Sequence, residues 1–244
     1  MIVNYTQKGW RIVSQCSHGI LAAQICAFWK KENQPDRWVE TLIATAEHDD
    51  ANNEIEKPDL LEENGGPRNF KMEAFDKKYC EKLLNSAMIK SCYVGLLISR
   101  HIQFLYGEDP SAKSFCDQLK NKEKLWMKAI QVTTKEIDDS YSLLEFCDAF
   151  SLLICQDLVQ AENRKIEIST GPDKKSYQLY SEKDQELIVS PWPFEVSTFN
   201  VNYEYRELEQ LSFKNTAEFR SAFLAAPLIW NKLRISKPPN RQLK

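Results

Sequence analysis

Residues 17–29 read SHGILAAQICAFW, and this stretch decides the fold class because a short β pattern ends and a helical pattern begins there. Leu21 and Ile25 stand four positions apart, which is the spacing of one apolar helix face. Ser17 is the predicted N-cap of this helix. Ahead of it, residues 2–13 alternate loosely between apolar and polar, so we predict a short β-hairpin.

Helical patterns continue through the first two thirds of the chain. We predict further helices at residues 36–47, 73–90, 93–106, 111–131 and 141–158. Residues 49–72 hold several Asn, Gly and Pro without a sustained period, and they directly follow a His-Asp pair. Long loops inside compact domains are usually functional or disordered, and the position of this one favours a functional role.

After Glu162 the composition changes to β-forming residues and turns. Strands are predicted within residues 165–169, 177–180, 186–189, 196–205 and 228–235, with a short helix opening at residue 215. The fold class predicted is therefore α+β, mainly α, with a helical core at residues 14–163. Residues 1–13 and 164–236 would form a small antiparallel β appendage in a single integrated domain of residues 1–244, and residues 237–244 a disordered tail.

Composition argues against several classes of protein. The 244 residues include 32 Lys+Arg and 35 Asp+Glu, a net charge of −3 that lacks the basic footprint of a nucleic-acid binder. Apolar runs are far shorter than the roughly 20 residues that span a bilayer, so no membrane association is expected. The N-terminus lacks the features of a signal peptide, and the seven Cys form no Cys-x-x-Cys pair. We expect a cytoplasmic protein with reduced cysteines.

The three histidines fall into an ordered pattern with two aspartates. His18 begins the first helix, the pair His48-Asp49 ends the second, and Asp148 interrupts a helix face shared with Ser151, Leu152 and Cys155. Two imidazoles and two carboxylates suit Mn²⁺, Fe²⁺, Co²⁺, Ni²⁺ or Zn²⁺, and Mg²⁺ is a further candidate. A buried carboxylate without a partner is costly, and a metal ion would offset that cost. The metal ligands predicted are His18, His48, Asp49 and Asp148.

An alternative without metal stands beside this interpretation. Each histidine taken singly is more often a hydrogen-bonded core or surface residue than a ligand. Asp148 could equally pair with an Arg or a Lys. The prediction of a metal site therefore depends on the ordered set rather than on any one member.

The order His…His-Asp…Asp on helices resembles the HD superfamily of metal-dependent phosphohydrolases. A closer resemblance rests on eight segments: Met1-Ile2-Val3, Gln15-Cys16-Ser17-His18, Ala22-Ala23-Gln24, Glu47-His48-Asp49-Asp50, Lys57-Pro58, Leu97-Ile98-Ser99-Arg100-His101, Asp148-Ala149-Phe150-Ser151-Leu152 and Pro191-Trp192-Pro193-Phe194. They resemble the uncharacterised bacterial family known as domain of unknown function 3891. The resemblance implies an HD-like helical bundle. The chain departs from the family pattern where Ala51-Asn52-Asn53 replaces Gly-Trp.

The function expected is divalent-metal-dependent hydrolysis of a small phosphoester. The ion would lower the pKa of a bound water, and Asp50 could accept its proton. His101 would bind a second ion or stabilise phosphate oxygens, and Arg100 could hold a phosphate through its planar guanidinium. We expect a small-molecule ligand or substrate as the partner, and homo-oligomer formation stays open.

We expect supporting roles for four further polar residues. Asn52 and Asn53 could bind substrate from the long loop, although they also suit a turn. Gln15 and Ser99 could orient ligating histidines, or they could simply satisfy backbone groups.

Two other functions use the same residues. In one, the ligands hold iron for an oxygenase reaction, which iron content with oxygen uptake would reveal. In the other, the chain is a non-enzymatic scaffold, metal-stabilised or metal-free, that binds a ligand or a protein. Absence of bound metal after purification without chelator would favour this function.

Overall fold

A β-hairpin opens the fold, and helices follow it. The computed structural model describes residues 1–51, 53–160, 162–183 and 185–239. The helices are α1 (Gln15–Ala27), α2 (Trp38–Glu47), α3 (Lys77–Lys90), α4 (Cys92–Tyr106), α5 (Lys113–Ile130), α6 (Thr134–Cys155) and α7 (Thr216–Ala225). Short 3-10 helices lie at Lys31–Asn33, Glu54–Glu56 and Phe70–Met72.

Seven strands among the described residues form one mixed sheet. They are β1 (Ile2–Thr6), β2 (Gly9–Val13), β3 (Ile166–Thr170), β4 (Ser176–Lys183), β5 (Glu186–Ser190), β6 (Thr198–Leu208) and β7 (Leu228–Ser236). Their order is β1-β2-β6-β7-β5-β4-β3. Neighbouring strands run antiparallel except β5 and β7, which are parallel.

The prediction of a mainly helical, HD-like bundle with a small sheet is wrong. Of the described residues 47% are helical and 22% lie in strands, and the seven-stranded sheet curves into a half-barrel. The N-terminal hairpin does join the C-terminal strands, through β2 and β6. However, β7 also pairs with both β6 and β5, which merges all the strands into one large sheet. The pattern of residues within a strand does not predict the order of strands in a sheet, because strand pairing depends on contacts between distant segments.

Two predicted helix starts also need correction. Ser14, not Ser17, caps α1, because its side chain accepts a hydrogen bond from the Ser17 amide. Helix α6 begins at Thr134 rather than at residue 141. Thr133 and Glu136 form a reciprocal capping box there, which satisfies amides at the start of the helix.

Apolar side chains pack in three clusters around these elements. One lies between the sheet and helices α1 and α6 and includes Phe146, Phe150 and Val201. A second joins α2 through α6, and a third lies where α7 meets the hairpin. None of the helices in the described ranges combines the length and the apolar character needed to span a bilayer. Of the predicted tail, residues 237–239 lie outside any helix or strand, and residues 240–244 fall outside the described residues.

A close backbone contact joins α1 to α2 beside the first histidine. A Cβ added at Gly19 would lie 2.4 Å from the carbonyl oxygen of Ala46. Only glycine permits this approach. The contact sets the C-terminal end of α2 against the first turns of α1, so His18 comes to lie beside His48.

Candidate metal centre

Four elements deliver the three histidines and two aspartates to one place. His18 lies near the start of α1, His48 caps the C-terminus of α2 with Asp49 next to it, His101 lies in α4, and Asp148 lies in α6. The histidines and Asp148 are buried, and the Asp49 side chain is 18% exposed. Residues up to 130 positions apart in sequence therefore meet in one cluster.

Five distances between side-chain atoms define the cluster. The Nε2 atom of His18 lies 3.5 Å from Oδ2 of Asp49 and 3.6 Å from Oδ1 of Asp148. The Nε2 atom of His48 lies 3.6 Å and 3.3 Å from the same two oxygens. The Nε2 atom of His101 lies 3.5 Å from the other Asp49 oxygen, Oδ1.

A hydroxyl group fixes the orientation of His18. The Nδ1 atom of His18 lies 2.7 Å from Oγ of Ser151, and that hydroxyl donates its proton to the backbone oxygen of Asp148 at 2.9 Å. Since its single proton is already used, the hydroxyl accepts a proton from Nδ1. Neutral His18 therefore directs the lone pair of Nε2 at the two carboxylates.

A backbone carbonyl fixes the orientation of His48 in the same way. The Nδ1 atom of His48 lies 2.8 Å from the carbonyl oxygen of Thr45. A carbonyl can only accept, so Nδ1 carries the proton and Nε2 of the neutral ring keeps its lone pair. Second partners that fix histidine tautomers in this way are typical of metal ligands.

Four atoms of the cluster are buried without a hydrogen-bond partner. They are Nε2 of His18, His48 and His101, together with Oδ1 of Asp148. Unsatisfied buried polar atoms are rare in proteins and call for an explanation such as an ion. All four belong to the two groups of side chains whose ligand atoms lie within 4.8 Å of one another.

The spacing of the donors fits a divalent ion. Nitrogen and oxygen ligands lie about 2.0–2.2 Å from Zn²⁺, which puts neighbouring donors on one ion roughly 3.0–3.6 Å apart. The separations of 3.3–3.6 Å between the histidine nitrogens and the carboxylate oxygens fall in this range. Buried His/Asp groups of this composition could hold a metal ion.

Electrostatics keep both carboxylates ionised. Burial alone would raise the pKa of Asp49, but the imidazoles of His48, His101 and His18 at 3.5–3.6 Å hold it well below its usual range. The pKa of Asp148 is likewise lowered by His48 and the other histidines against the effect of burial. Burial alone would lower the pKa of His48, but Asp148 and Asp49 raise it to about 9. Without an ion, His48 thus carries a proton between two carboxylates.

Polar neighbours orient the ligating groups. Gln15 donates from Nε2 to Oδ2 of Asp49 at 2.9 Å, so it contacts a carboxylate rather than a histidine. Tyr79 donates to the backbone oxygen of Asp49 at 2.6 Å, and the Tyr141 hydroxyl lies 3.4 Å from Nδ1 of His101. Sequence reasoning missed Tyr79, Tyr141 and the Thr45 carbonyl. Ser151 carried a usable signal, since it shares the Asp148 helix face.

Other predicted site residues do not come to the cluster. Ser99 donates to Glu123 at 2.7 Å, and Arg100 pairs with Glu123 and Asp138, both at 3.3 Å. Ser99 therefore orients no histidine through that hydroxyl. Consecutive helix positions point about 100° apart, which separates this pair from His101.

Two of the three predicted loop residues have partners outside the cluster. Asp50 is exposed and accepts a hydrogen bond from the Cys16 thiol, whose pKa burial and Asp50 raise to about 12. Asn53 is exposed and donates to Glu56 at 3.2 Å, as a turn residue would. Asn52 lies outside the described residues.

A cavity of about 250 Å³ adjoins the cluster. Asp49, His101 and Asp148 form part of its wall, and Lys57, Lys71 and Tyr79 also line it. A second cavity of about 660 Å³ shares Lys57 and Tyr79 with the first and is also lined by Asn53. The cluster therefore borders open space on the side of the loop that follows α2.

Comparison with known proteins identifies one family. No curated protein and no solved structure matches the chain. The sequence model of the family described as "Protein of unknown function (DUF3891)" matches residues 1–210. This match covers most of the 244 residues and includes all three histidines and both aspartates of the cluster. The chain therefore belongs to the DUF3891 family.

Proposed function

We propose that the chain binds a divalent metal ion through His18, His48, Asp49 and Asp148 and hydrolyses a small phosphoester. The observation that carries the proposal is the set of buried donor atoms without partners. A second support is that Ser151 and Thr45 both direct the Nε2 lone pairs of their histidines at the carboxylates. The proposal includes an HD-superfamily affiliation, a bacterial source, a cytoplasmic location and one integrated domain.

A bound divalent ion would supply a water of lowered pKa and would polarise a phosphoryl oxygen. Asp49 and Asp148 would balance the charge of the ion, and Gln15 would hold Oδ2 of Asp49 in place through its 2.9 Å hydrogen bond. The buried rings of His18 and His48 would keep bulk water away from one side of the site.

His101 is the group best situated to move a proton. Its Nε2 atom lacks a hydrogen-bond partner, and the residue lines the cavity beside Asp49 and Asp148. The Tyr141 hydroxyl near Nδ1 would orient the ring, and Nε2 would accept the proton released by the attacking water. His101 thus takes the role of proton acceptor that the sequence suggested for Asp50, whose carboxylate accepts a hydrogen bond from Cys16.

The test combines metal content with activity. Protein purified without chelator is analysed for metals and assayed on a generic phosphomonoester, beside the variants His48→Ala and Asp49→Ala. We expect a bound divalent ion in the wild type, and loss of both ion and hydrolysis in each variant with helical content nearly unchanged. Asp117→Ala is the matched control, because Asp117 is an exposed acid on α5.

The outcomes separate the rival functions. A metal-loaded wild type that hydrolyses no phosphoester across a broad panel would remove the hydrolase proposal. Iron with oxygen uptake would favour an oxygenase, for which the two Asp49 oxygens facing different histidines would suit a pair of ions. Absence of any metal would favour a ligand-binding or protein-binding scaffold.

A further inference from the structure

The acidic side chains that line the cavity of about 250 Å³ all have partners, whereas one basic side chain does not. Four carboxylates line it, and each already faces a positive group or a histidine. Glu54 lies 2.8 Å from the N-terminal ammonium, and Glu73 lies 2.7 Å from Nζ of Lys57. Asp49 and Asp148 face the histidines. These acids are therefore committed to partners within the chain.

Lys71 is the exception among the charged residues of the cavity wall. Within the described ranges its ammonium forms no ion pair, and it lies 6.0 Å from the ring centroid of Phe70. If a divalent ion balances Asp49 and Asp148, the Lys71 charge is left over. A cavity with one uncompensated positive charge beside a metal ion attracts an anion.

The remainder of the wall is largely apolar. Phe70, Leu105 and Leu152 line the cavity, and Leu105 is 49% exposed although it is a large aliphatic residue. The volume lies below the roughly 300–1,000 Å³ typical of pockets for drug-sized ligands. The cavity thus suits a small molecule with one anionic end and one apolar end.

We propose that this cavity binds a small phosphomonoester of an apolar alcohol or phenol. Lys71 pairs with the phosphoryl oxygens, and Leu105 contacts the apolar group. The inference rests on the proposed function for the position of the phosphoryl group at the metal ion. It adds the class of substrate and names Lys71 and Leu105 as specificity-determining residues.

Binding of phosphonates tests the inference without any turnover. Calorimetry on metal-supplemented protein compares phenylphosphonate, methylphosphonate and benzoate. We expect phenylphosphonate to bind at least about tenfold more tightly than methylphosphonate, because burying apolar groups in a pocket yields selectivity of this order. We expect phenylphosphonate to bind more tightly than benzoate, because the phosphonate carries more charge.

Two variants separate the anionic and apolar contributions. Lys71→Met should weaken both phosphonates by about tenfold or more and leave their ratio unchanged. Leu105→Gln should reduce the ratio of phenylphosphonate to methylphosphonate affinity. Lys78→Met and Leu125→Gln are the matched controls, since both residues are exposed and neither lines the cavity. Lys71→Arg should retain phosphonate binding.

Each result supports or overturns the inference. Unchanged phosphonate affinity in Lys71→Met, an unchanged ratio in Leu105→Gln, or tighter binding of benzoate would overturn it, even if the protein hydrolyses phosphoesters. Phosphonate binding that depends on Lys71 and Leu105 in a protein without hydrolase activity would support the cavity assignment and refute the proposed function.

Discussion

Helix α4 contributes to two buried polar clusters that differ in one respect. On one face, Glu123 accepts hydrogen bonds from Ser99 and Gln103 and pairs with Arg100. On the other face, His101 joins the histidine and aspartate cluster, where four donor atoms have no partner. In the first cluster the charged groups pair with one another inside the protein, although Nε of Arg100 makes no hydrogen bond. In the second cluster four unpartnered atoms converge on one point, and such a group calls for something from outside, such as an ion. Burial of charged groups is therefore a poor guide to function until their partners are counted.

The largest difference between the clusters should appear when one acid in each is replaced by its amide. Asp148→Asn should lower metal affinity by more than about 100-fold, because it removes a ligating charge. Glu123→Gln should leave metal affinity unchanged and lower the free energy of unfolding by about 1–3 kcal/mol, because Arg100 loses a buried partner. Calorimetry with the ion and urea denaturation in chelator measure the two quantities. Loss of metal in Glu123→Gln would contradict the distinction between the clusters.

An intermediate effect on metal affinity is expected at Ser151 and none at Ser99. Ser151→Ala should lower metal affinity about 10–100-fold, since His18 loses the group that keeps the proton on Nδ1. Ser99→Ala removes an equally buried hydroxyl from the Glu123 cluster and serves as the control. Equal metal affinities of the two variants would show that Ser151 does not orient His18.

The smallest expected effect is the change in metal affinity for each pH unit, which arises because the ion must displace a proton from His48. In the metal-free protein His48 has a pKa raised to about 9, so below that pH an ion must displace its proton. Apparent metal affinity should rise about tenfold per pH unit towards pH 9 and then level off. Measured affinity that does not change between pH 7 and pH 8.5 would refute proton displacement from His48.

The raised pKa of His48 also affects the stability of the metal-free protein, which should fall as the pH rises, whereas metal affinity should increase. Because folding raises the pKa of His48 above its ordinary value of 6.5, its contribution is complete below pH 6.5. That contribution is lost as the pH rises through about 9. Urea denaturation in chelator at several pH values measures this, with His48→Gln as the variant in which the dependence should shrink.

Most of the helices could be predicted from the sequence, but the order of the strands in the sheet could not. Apolar spacing indicated α1 through α5 because each buries one face. The pattern at residues 141–158 located α6 but missed its first turns, whose capping box lies in a polar stretch. Sheet order was beyond reach, since the parallel contact of β5 with β7 joins segments separated by α7 and β6.

The site was predictable where chemistry restricts the residue type. Histidine and aspartate inside apolar helices are unusual enough that their order pointed to one cluster, and the five side chains do meet. The roles of Ser99 and Arg100 were not predictable in this way. Sequence adjacency to His101 suggested a shared site, whereas the helical turn directs them to Glu123.

The contact at Gly19 gives the cluster an unusual vulnerability. Because the main chains of α1 and α2 touch there, the separation of His18 from His48 is set by backbone geometry rather than by a choice of rotamers. A single added methyl group would push the two histidine-bearing helices apart without altering either histidine. In this chain, a residue without a side chain thus governs whether the cluster can be assembled.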